Sequence, residues 1–218
     1  MIVEKAVKMP LQLNGLFKFL IGAVLAVIPI VNLTSLGYCA EVMERSARRE
    51  AELPSWNNLG AKFIKGLSWS AIALVYLLVP AALATVGGQW SQITVQTSTE
   101  GMNPFAVAAL GGTALWAAVL ALILGFILPM GLAHYSATGD LTAPFRLPTV
   151  LRYIAGNFSS YLPAYALAIL LYYVVSLFGN IPSVGPVLTV PGYFYATVVL
   201  AAVFGSVYQR ARIVESTR

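Results

Sequence analysis

Charged residues are scarce in this sequence. Asp, Glu, Lys and Arg together make up 10% of the 218 residues, whereas a soluble domain carries roughly 25%. Hydrophobic residues make up 59%, and the mean hydropathy is +0.80. A soluble domain of this length could not bury so much apolar surface. The composition therefore excludes a soluble globular protein and indicates one that folds in a lipid bilayer.

Cysteine and histidine are almost absent, with Cys39 and His134 as the single examples of each. One cysteine excludes an intrachain disulfide and a cysteine-rich metal site, and one histidine leaves no plausible Ser-His-Asp triad. The glycine pairs at 87–88 and 111–112 lack the Lys-Ser/Thr of a phosphate-binding loop. We therefore expect no catalytic residues, no metal site, no cofactor and no enzyme activity.

Ionisable residues are also missing from the long apolar runs. Residues 19–38, 67–86, 105–133 and 158–209 contain no Asp, Glu, His, Lys or Arg. Ion-coupled transporters and proton relays place such residues inside the membrane. The runs therefore argue against both of these functions.

The apolar runs are long enough to cross a bilayer, which requires about 20 residues per helix. They predict an all-α fold, a polytopic membrane helical bundle of about five spans. The predicted spans are residues 16–38, 67–86, 105–135, 161–178 and 187–208. Pro129 is expected to kink the inner end of the third span.

The first run contains Pro29 near its middle, followed by Asn32. Proline removes a helical hydrogen bond, and an asparagine in hydrocarbon needs a hydrogen-bond partner, which we expect within the protein. The run is either a single kinked span or a re-entrant hairpin that turns at residues 29–32 with both ends in the cytoplasm. Lysines at 5, 8 and 18 favour the hairpin. The ordinary length of the run favours the single span, which we prefer.

The densest cluster of charges follows this run, between residues 41 and 65. Glu41 and Arg45 are four residues apart, as are Glu44 and Arg48, which places opposite charges on one face of a helix. The helix that contains Tyr38 is therefore expected to continue into the cytoplasm.

Two cytoplasmic segments have the spacing of amphipathic helices. In the first, Trp56, Leu59, Phe63 and Ile64 share one helical face, and lysines flank it. This spacing is typical of a helix that lies in the membrane interface. Packing of the same face on the bundle is the alternative interpretation. A second such helix is predicted within residues 146–153.

Lysine and arginine lie on one side of the predicted spans. Residues 41–65, 140–153 and 210–218 contain arginines, whereas 87–104 and 179–191 contain neither Lys nor Arg. Because basic residues are retained in the cytoplasm, the charged loops and the C-terminus are predicted to be cytoplasmic. Residues 87–104 and 179–191 are predicted to be external loops.

The chain contains a weak internal repeat. Ile28-Pro29, Tyr38 and Leu53-Pro54 occur in the same order as Leu128-Pro129, Tyr135 and Leu147-Pro148. Each half reads as a span, a proline, a tyrosine, a cytoplasmic segment and a further span. We interpret residues 16–86 and 105–178 as parallel copies, followed by the last span at 187–208. The whole chain, residues 1–218, is expected to form one integral-membrane domain.

Several of these motifs together resemble a known family. In the first half they are Ile28-Pro29, Asn32-Leu33, Gly37-Tyr38, Leu53-Pro54-Ser55-Trp56 and Lys65-Gly66-Leu67. In the second half they are Tyr135, Gly139, Ala143-Pro144-Phe145, Gly185-Pro186-Val187-Leu188, Gly205 and Tyr208. The set resembles the prokaryotic integral-membrane "domain of unknown function" family number 4013.

The resemblance implies a helical membrane fold and a location in the prokaryotic cytoplasmic (inner) membrane, and it implies no activity. One difference lies after the Leu-Pro-x-Trp motif, where Asn57 and Asn58 replace the acidic residues usual in the family. This difference argues against a cation site in the loop.

Two functions remain compatible with the sequence. One is a structural or accessory subunit that packs against membrane lipids and other membrane proteins, in a homo- or hetero-oligomer and without nucleic acid. The other is a channel or facilitator for an uncharged or weakly polar solute, which would use Asn32 and the broken first run. The candidate packing or interface residues are Pro29, Asn32, Tyr38, Trp56, Phe63, Pro129, Tyr135 and Phe145.

Overall fold

The computed structural model describes residue 6 and residues 13–50, 52–97, 104–182 and 185–216, without the side chains of 13–14, 86–97, 104–114, 186 and 214–216. Within these residues the chain is helical and contains no strand. The helices are α1 (Leu13–Val27), α2 (Asn32–Ala47), α3 (Leu59–Thr97), α4 (Pro104–Thr138), α5 (Leu147–Gly156), α6 (Phe158–Phe178) and α7 (Gly185–Ser216), with a 3-10 turn at Ala143–Phe145.

Four of the described helices are long and apolar enough to cross a membrane. These stretches are Leu59–Thr85, Leu115–Thr138, Phe158–Phe178 and Val187–Ile213. The predicted all-α polytopic membrane fold is confirmed. Four of the five predicted spans correspond to these helices.

The first predicted span, residues 16–38, is instead two antiparallel helices. α1 has 15 residues, which is about 22 Å at 1.5 Å per residue and less than the roughly 30 Å of hydrocarbon. The chain turns at residues 28–31, where Ile30 has a φ of 71°. Ser35 Oγ then donates to the Gly22 carbonyl at 3.0 Å. The preference for a single span was wrong, because run length does not reveal a turn inside an apolar sequence. The chain forms a helical hairpin here, and the cytoplasmic position of its two ends stays a prediction.

Three further boundaries differ from prediction. α3 continues to Thr97, so much of the predicted loop 87–104 is helical, because a helix can extend past the hydrocarbon with polar residues. α7 begins at Gly185 and contains Pro191, so part of the predicted loop 179–191 is also helical. The first predicted interfacial helix is the start of α3, whereas the second is the separate amphipathic helix α5.

The chain forms two compact units. The first contains Met1–Ile72 and Pro129–Arg218. Its core is the pair α2 and α7, which share its largest helix–helix interface. A Cβ on Gly205 of α7 would overlap the carbonyl of Met43 on α2, so glycine permits this close approach. α1, α5 and α6 also pack on α7.

The second unit contains Ala73–Leu128, the later part of α3 and the earlier part of α4. Its described side chains include many exposed apolar groups, such as Leu78, Trp116 and Leu122. Exposed apolar helix faces are what a bilayer solvates. The predictions of one domain over residues 1–218 and of an internal repeat stay predictions.

Candidate functional site

Six charged side chains of α2, of the residue that caps its C-terminus and of α3 form an ion-pair cluster in the first unit, namely Glu41, Glu44, Arg45, Arg48, Lys62 and Lys65. Glu41 contacts both Lys62 and Arg45, the latter at 3.7 Å. Glu44 contacts Arg48 and Lys65, each at 2.7 Å. Each of these two carboxylates is therefore shared between two cations.

Two glycines bring α2 and α3 close enough to form this cluster. A Cβ on Gly37 would overlap the backbone carbonyl of Lys62, and a Cβ on Gly66 would overlap that of Leu33. The backbones thus touch at two points, one glycine on each helix. Because i and i+3 lie on one helical face, Lys62 and Lys65 both reach α2 from the first turns of α3.

Lys62 is the most deeply buried charge of the cluster, with 4% of its surface exposed. Its Nζ donates to Glu41 Oε2, and the Glu41 side chain is 21% exposed. Burying a lysine without a counter-charge is strongly unfavourable. Glu41 therefore compensates the charge of the buried Lys62 and links α3 to the hairpin.

An aromatic stack closes the base of the hairpin. The rings of Tyr38 and Trp56 are nearly parallel, with centroids 4.3 Å apart. Trp56 Nε1 donates to the Lys18 carbonyl at 2.7 Å, and Lys18 Nζ donates to the Leu53 carbonyl at 2.8 Å. Phe194 of α7 lies against Tyr38 at 6.1 Å. The start of α1 and the segment after α2 therefore meet at the same end of the hairpin.

A cleft of about 160 Å³ lies beside the ion-pair cluster. Ala40, Glu44, Arg48 and Lys65 line one side, and residues 135–139 at the end of α4 line the other. The cleft combines charged side chains with the hydroxyl of Ser136. The charged groups of Glu44, Arg48 and Lys65 are the features of this cleft that could orient a small charged ligand.

A buried His–Tyr pair lies at the same end of α4. His134 Nδ1 and the Tyr208 hydroxyl are 2.9 Å apart, and the ring of Tyr153 meets His134 edge-on at 5.5 Å. These contacts join α4, α5 and α7 within the first unit. They indicate a packing role for His134, since a hydrogen-bonded histidine at a helix end needs no further function to explain it.

The loop after α4 is held by Asp140. Its carboxylate accepts the Thr142 backbone N–H at 2.9 Å and the Arg146 guanidinium at 2.9 Å. The Thr142 hydrogen bonds, followed by the charge of Arg146, lower the pKa of the exposed Asp140 carboxyl from its ordinary value. Asp140 therefore links the turn at Thr142 to Arg146, the residue that precedes α5.

Five of the eight predicted packing residues are buried or half-buried. Tyr38 and Tyr135 are buried, and Trp56, Phe63 and Pro129 are half-buried, Pro129 within α4. The structure brings Tyr38 and Trp56 into direct contact. Trp56 packs on the bundle through its contact with Tyr38. It lies outside the predicted interfacial helix, because Asn58 has a φ of 55° and the helix begins only at Leu59.

Three other predicted residues are exposed. Pro29 lies in the hairpin turn, Asn32 begins α2, and Phe145 is 43% exposed in the 3-10 turn. Asn32 was expected to be satisfied inside the protein, and this was wrong. Its backbone N–H closes the turn on the Ile28 carbonyl at 2.9 Å, while its side chain faces outward.

Sequence reasoning missed the contacts of Lys18 with Leu53 and Trp56, the Glu41–Lys62 pair and the pairing of Gly37 with Gly66. The usable signal was the two glycines, each four residues from a charge, Gly37 before Glu41 and Gly66 after Lys62. Small residues on neighbouring helices of a membrane protein indicate close backbone approach.

Residues 21–184 match the family described as "Protein of unknown function (DUF4013)". This range contains the cluster, the cleft and all of the hairpin except the start of α1. The chain belongs to the DUF4013 family. The resemblance inferred from the motifs is thereby confirmed, although the DUF4013 match ends before α7. No curated protein and no solved structure matches the chain.

Proposed function

We propose that this DUF4013 protein is a non-catalytic structural or accessory subunit that packs against other membrane proteins or lipids. The observation that carries the proposal is the small buried share of its spans. In Leu59–Thr85, Leu115–Thr138 and Phe158–Phe178, only 22% of the most apolar stretch is buried, against 50% in Val187–Ile213. The remaining apolar surface is available to lipids and to the spans of partner proteins.

The state of the charged side chains supports the same role. Glu41 and Glu44 each bind two cations of the same chain. Carboxylates that act in proton transfer must instead be free to change protonation state at the substrate. The cluster therefore supports a scaffold that fixes helices relative to one another.

We further propose that the protein lies in the prokaryotic cytoplasmic membrane with its C-terminus and charged loops in the cytoplasm. The support is the concentration of arginines in residues 41–65 and 140–153 and after 209. The hairpin adds Lys18 to the same side, because it lies beside Leu53.

The test is purification of the tagged protein from native membranes dissolved in a mild detergent, with quantitative mass spectrometry of what accompanies it. We expect one or a few membrane proteins, or further copies of this chain, in near-stoichiometric amounts. A protein that purifies alone and carries an uncharged solute across liposomes would contradict the proposal and favour a facilitator. Liposomes without protein and with a heat-denatured sample are the controls.

A further inference from the structure

The cleft beside the ion-pair cluster has an excess of positive charge. Arg48 Nη2 and Lys65 Nζ each lie 2.7 Å from an oxygen of Glu44. Within the described part of the chain, Glu44 is the acidic partner of both, so one carboxylate serves two cations. The three side chains give the cleft one net positive charge.

Hydrogen-bond donors in the cleft remain available to a ligand. An arginine has five N–H donors and a lysine has three, and the side chains of Arg48 and Lys65 are 59% and 38% exposed. Ser136 adds a hydroxyl. Its Oγ accepts a hydrogen bond from the Trp69 indole at 3.0 Å, which leaves its own hydrogen free to donate.

The cleft lies near the ends of two apolar stretches, where a bilayer would place lipid headgroups, and it has the size of a small polar group. Lys65 is near the start of Leu59–Thr85, and residues 135–138 end Leu115–Thr138. A volume of about 160 Å³ is close to that of an engineered cavity of roughly 150 Å³ that binds benzene. A phosphate group, with five non-hydrogen atoms, fits this space.

We propose that the cleft binds a singly charged phosphate group, the phosphodiester of a phospholipid headgroup in the adjoining leaflet. Arginine and lysine donors are the side chains that bind phosphate oxygens best. The single negative charge of a phosphodiester balances the net charge of Arg48, Lys65 and Glu44. The inference goes beyond the proposed structural role and depends only on the membrane location.

The experiment uses the full chain in a maltoside detergent, which contains no phosphate. Binding of the short-chain lipid dihexanoyl phosphatidylglycerol is measured by native mass spectrometry. We expect Lys65→Gln and Arg48→Gln each to weaken binding at least fivefold. Arg45→Gln is the matched control, because it removes one positive charge three residues before Arg48, at a residue that does not line the cleft. We expect less than a twofold change in binding.

A change of the opposite sign separates binding from fold maintenance. Arg48→Gln and Lys65→Gln each break one ion pair with Glu44, and Glu44→Gln breaks both. Glu44→Gln also removes the carboxylate that competes with the phosphate. We therefore expect at least twofold tighter binding. Weaker binding by Glu44→Gln, or equal affinity of wild type, Lys65→Gln and Arg48→Gln, would overturn the proposal.

Two further ligands identify the source of the phosphate. Dihexanoylglycerol, which has the acyl chains without phosphate, is expected not to compete. Inorganic phosphate at the same concentration as the lipid is expected to displace less than a tenth of it. Displacement of half or more by inorganic phosphate would overturn the lipid assignment and make the ligand a soluble phosphate, and equal binding of dihexanoylglycerol would overturn phosphate recognition altogether.

Discussion

The indole ring of Trp56 lies flat against the phenol ring of Tyr38, with planes inclined by 8°. The indole N–H also donates to the carbonyl of Lys18. One side chain thus holds together the start of α1, the middle of α2 and the segment between α2 and α3.

Replacing Trp56 should therefore loosen the hairpin. Trp56→Ala removes the stack, worth about 0.5–1.5 kcal/mol beyond area burial, the hydrogen bond, worth about 1 kcal/mol, and part of the buried area. We expect a loss of roughly 2–4 kcal/mol in the free energy of unfolding, measured by SDS titration in mixed micelles. Trp116→Ala is the control, since Trp116 is 68% exposed. Equal losses in the two variants would contradict the role of the stack.

The glycine contacts between α2 and α3 predict a sharp difference between two glycines of one helix. Gly66→Ala would force a methyl group into the Leu33 backbone, and we expect destabilisation of about 1–3 kcal/mol. Gly60→Ala meets nothing within 4 Å. It should be neutral or stabilising by up to about 1 kcal/mol, because alanine favours the helix. Unfolding of both variants in the same micelles measures this, and a similar response would rule out the close approach.

The ion-pair cluster predicts unequal effects for two partners of one pair. Glu41→Gln leaves the buried Lys62 without an acidic partner among the described residues, and we expect a loss of about 3–5 kcal/mol. Lys62→Met should cost less, because Glu41 keeps Arg45. Glu50→Gln affects an exposed pair with Arg45 and should change stability by less than about 1 kcal/mol. A larger loss for Lys62→Met than for Glu41→Gln would refute this account.

The hairpin predicts that the N-terminal segment lies on the cytoplasmic side. Cys39 is fully buried, so the wild-type protein should give no background with an impermeant maleimide. Glu4→Cys and Glu52→Cys should be labelled only after permeabilisation of the membrane, and Thr99→Cys without it. Glu4 and Thr99 lie outside the described residues.

The labelling experiment has a clear contrary result for each part of the topology. Labelling of Glu4→Cys in intact cells, with Glu52→Cys protected, would restore the single kinked span. Labelling of Thr99→Cys only after permeabilisation would overturn the assignment of the cytoplasmic side. Glu52→Cys serves as the internal reference in both cases.

The positions of four spans could be predicted from the sequence, because apolar length alone defines them. The predicted fourth span, 161–178, differs from Phe158–Phe178 only at its start. The hairpin could not be predicted in the same way. A turn such as the one at Ile30 is stabilised by packing of α1 on α2 and α7, and a single sequence does not contain those contacts explicitly.

The sequence predicted several residues of the candidate site but not the contacts between them. The charges of residues 41–65 were identified, and Tyr38 and Trp56 were each named as candidate packing residues. The partners of these residues were not identified. Helical spacing predicts contacts between neighbours on one helix, whereas Lys62 of α3 contacts Glu41 of α2. Trp56 shares its spacing with Phe63, but the left-handed backbone at Asn58 removes Trp56 from the helix that contains Phe63.

The hairpin also determines what must be translocated when the protein is synthesised. Lys18 at its start and the charged residues after Tyr38 lie at one end, so neither set has to pass through the bilayer. Moving one lysine or arginine to the bilayer centre costs about 2.5–3.5 kcal/mol on insertion scales. In the proposed topology the segment between α3 and α4 is exported instead, and residues 87–104, which include it, contain no Lys or Arg.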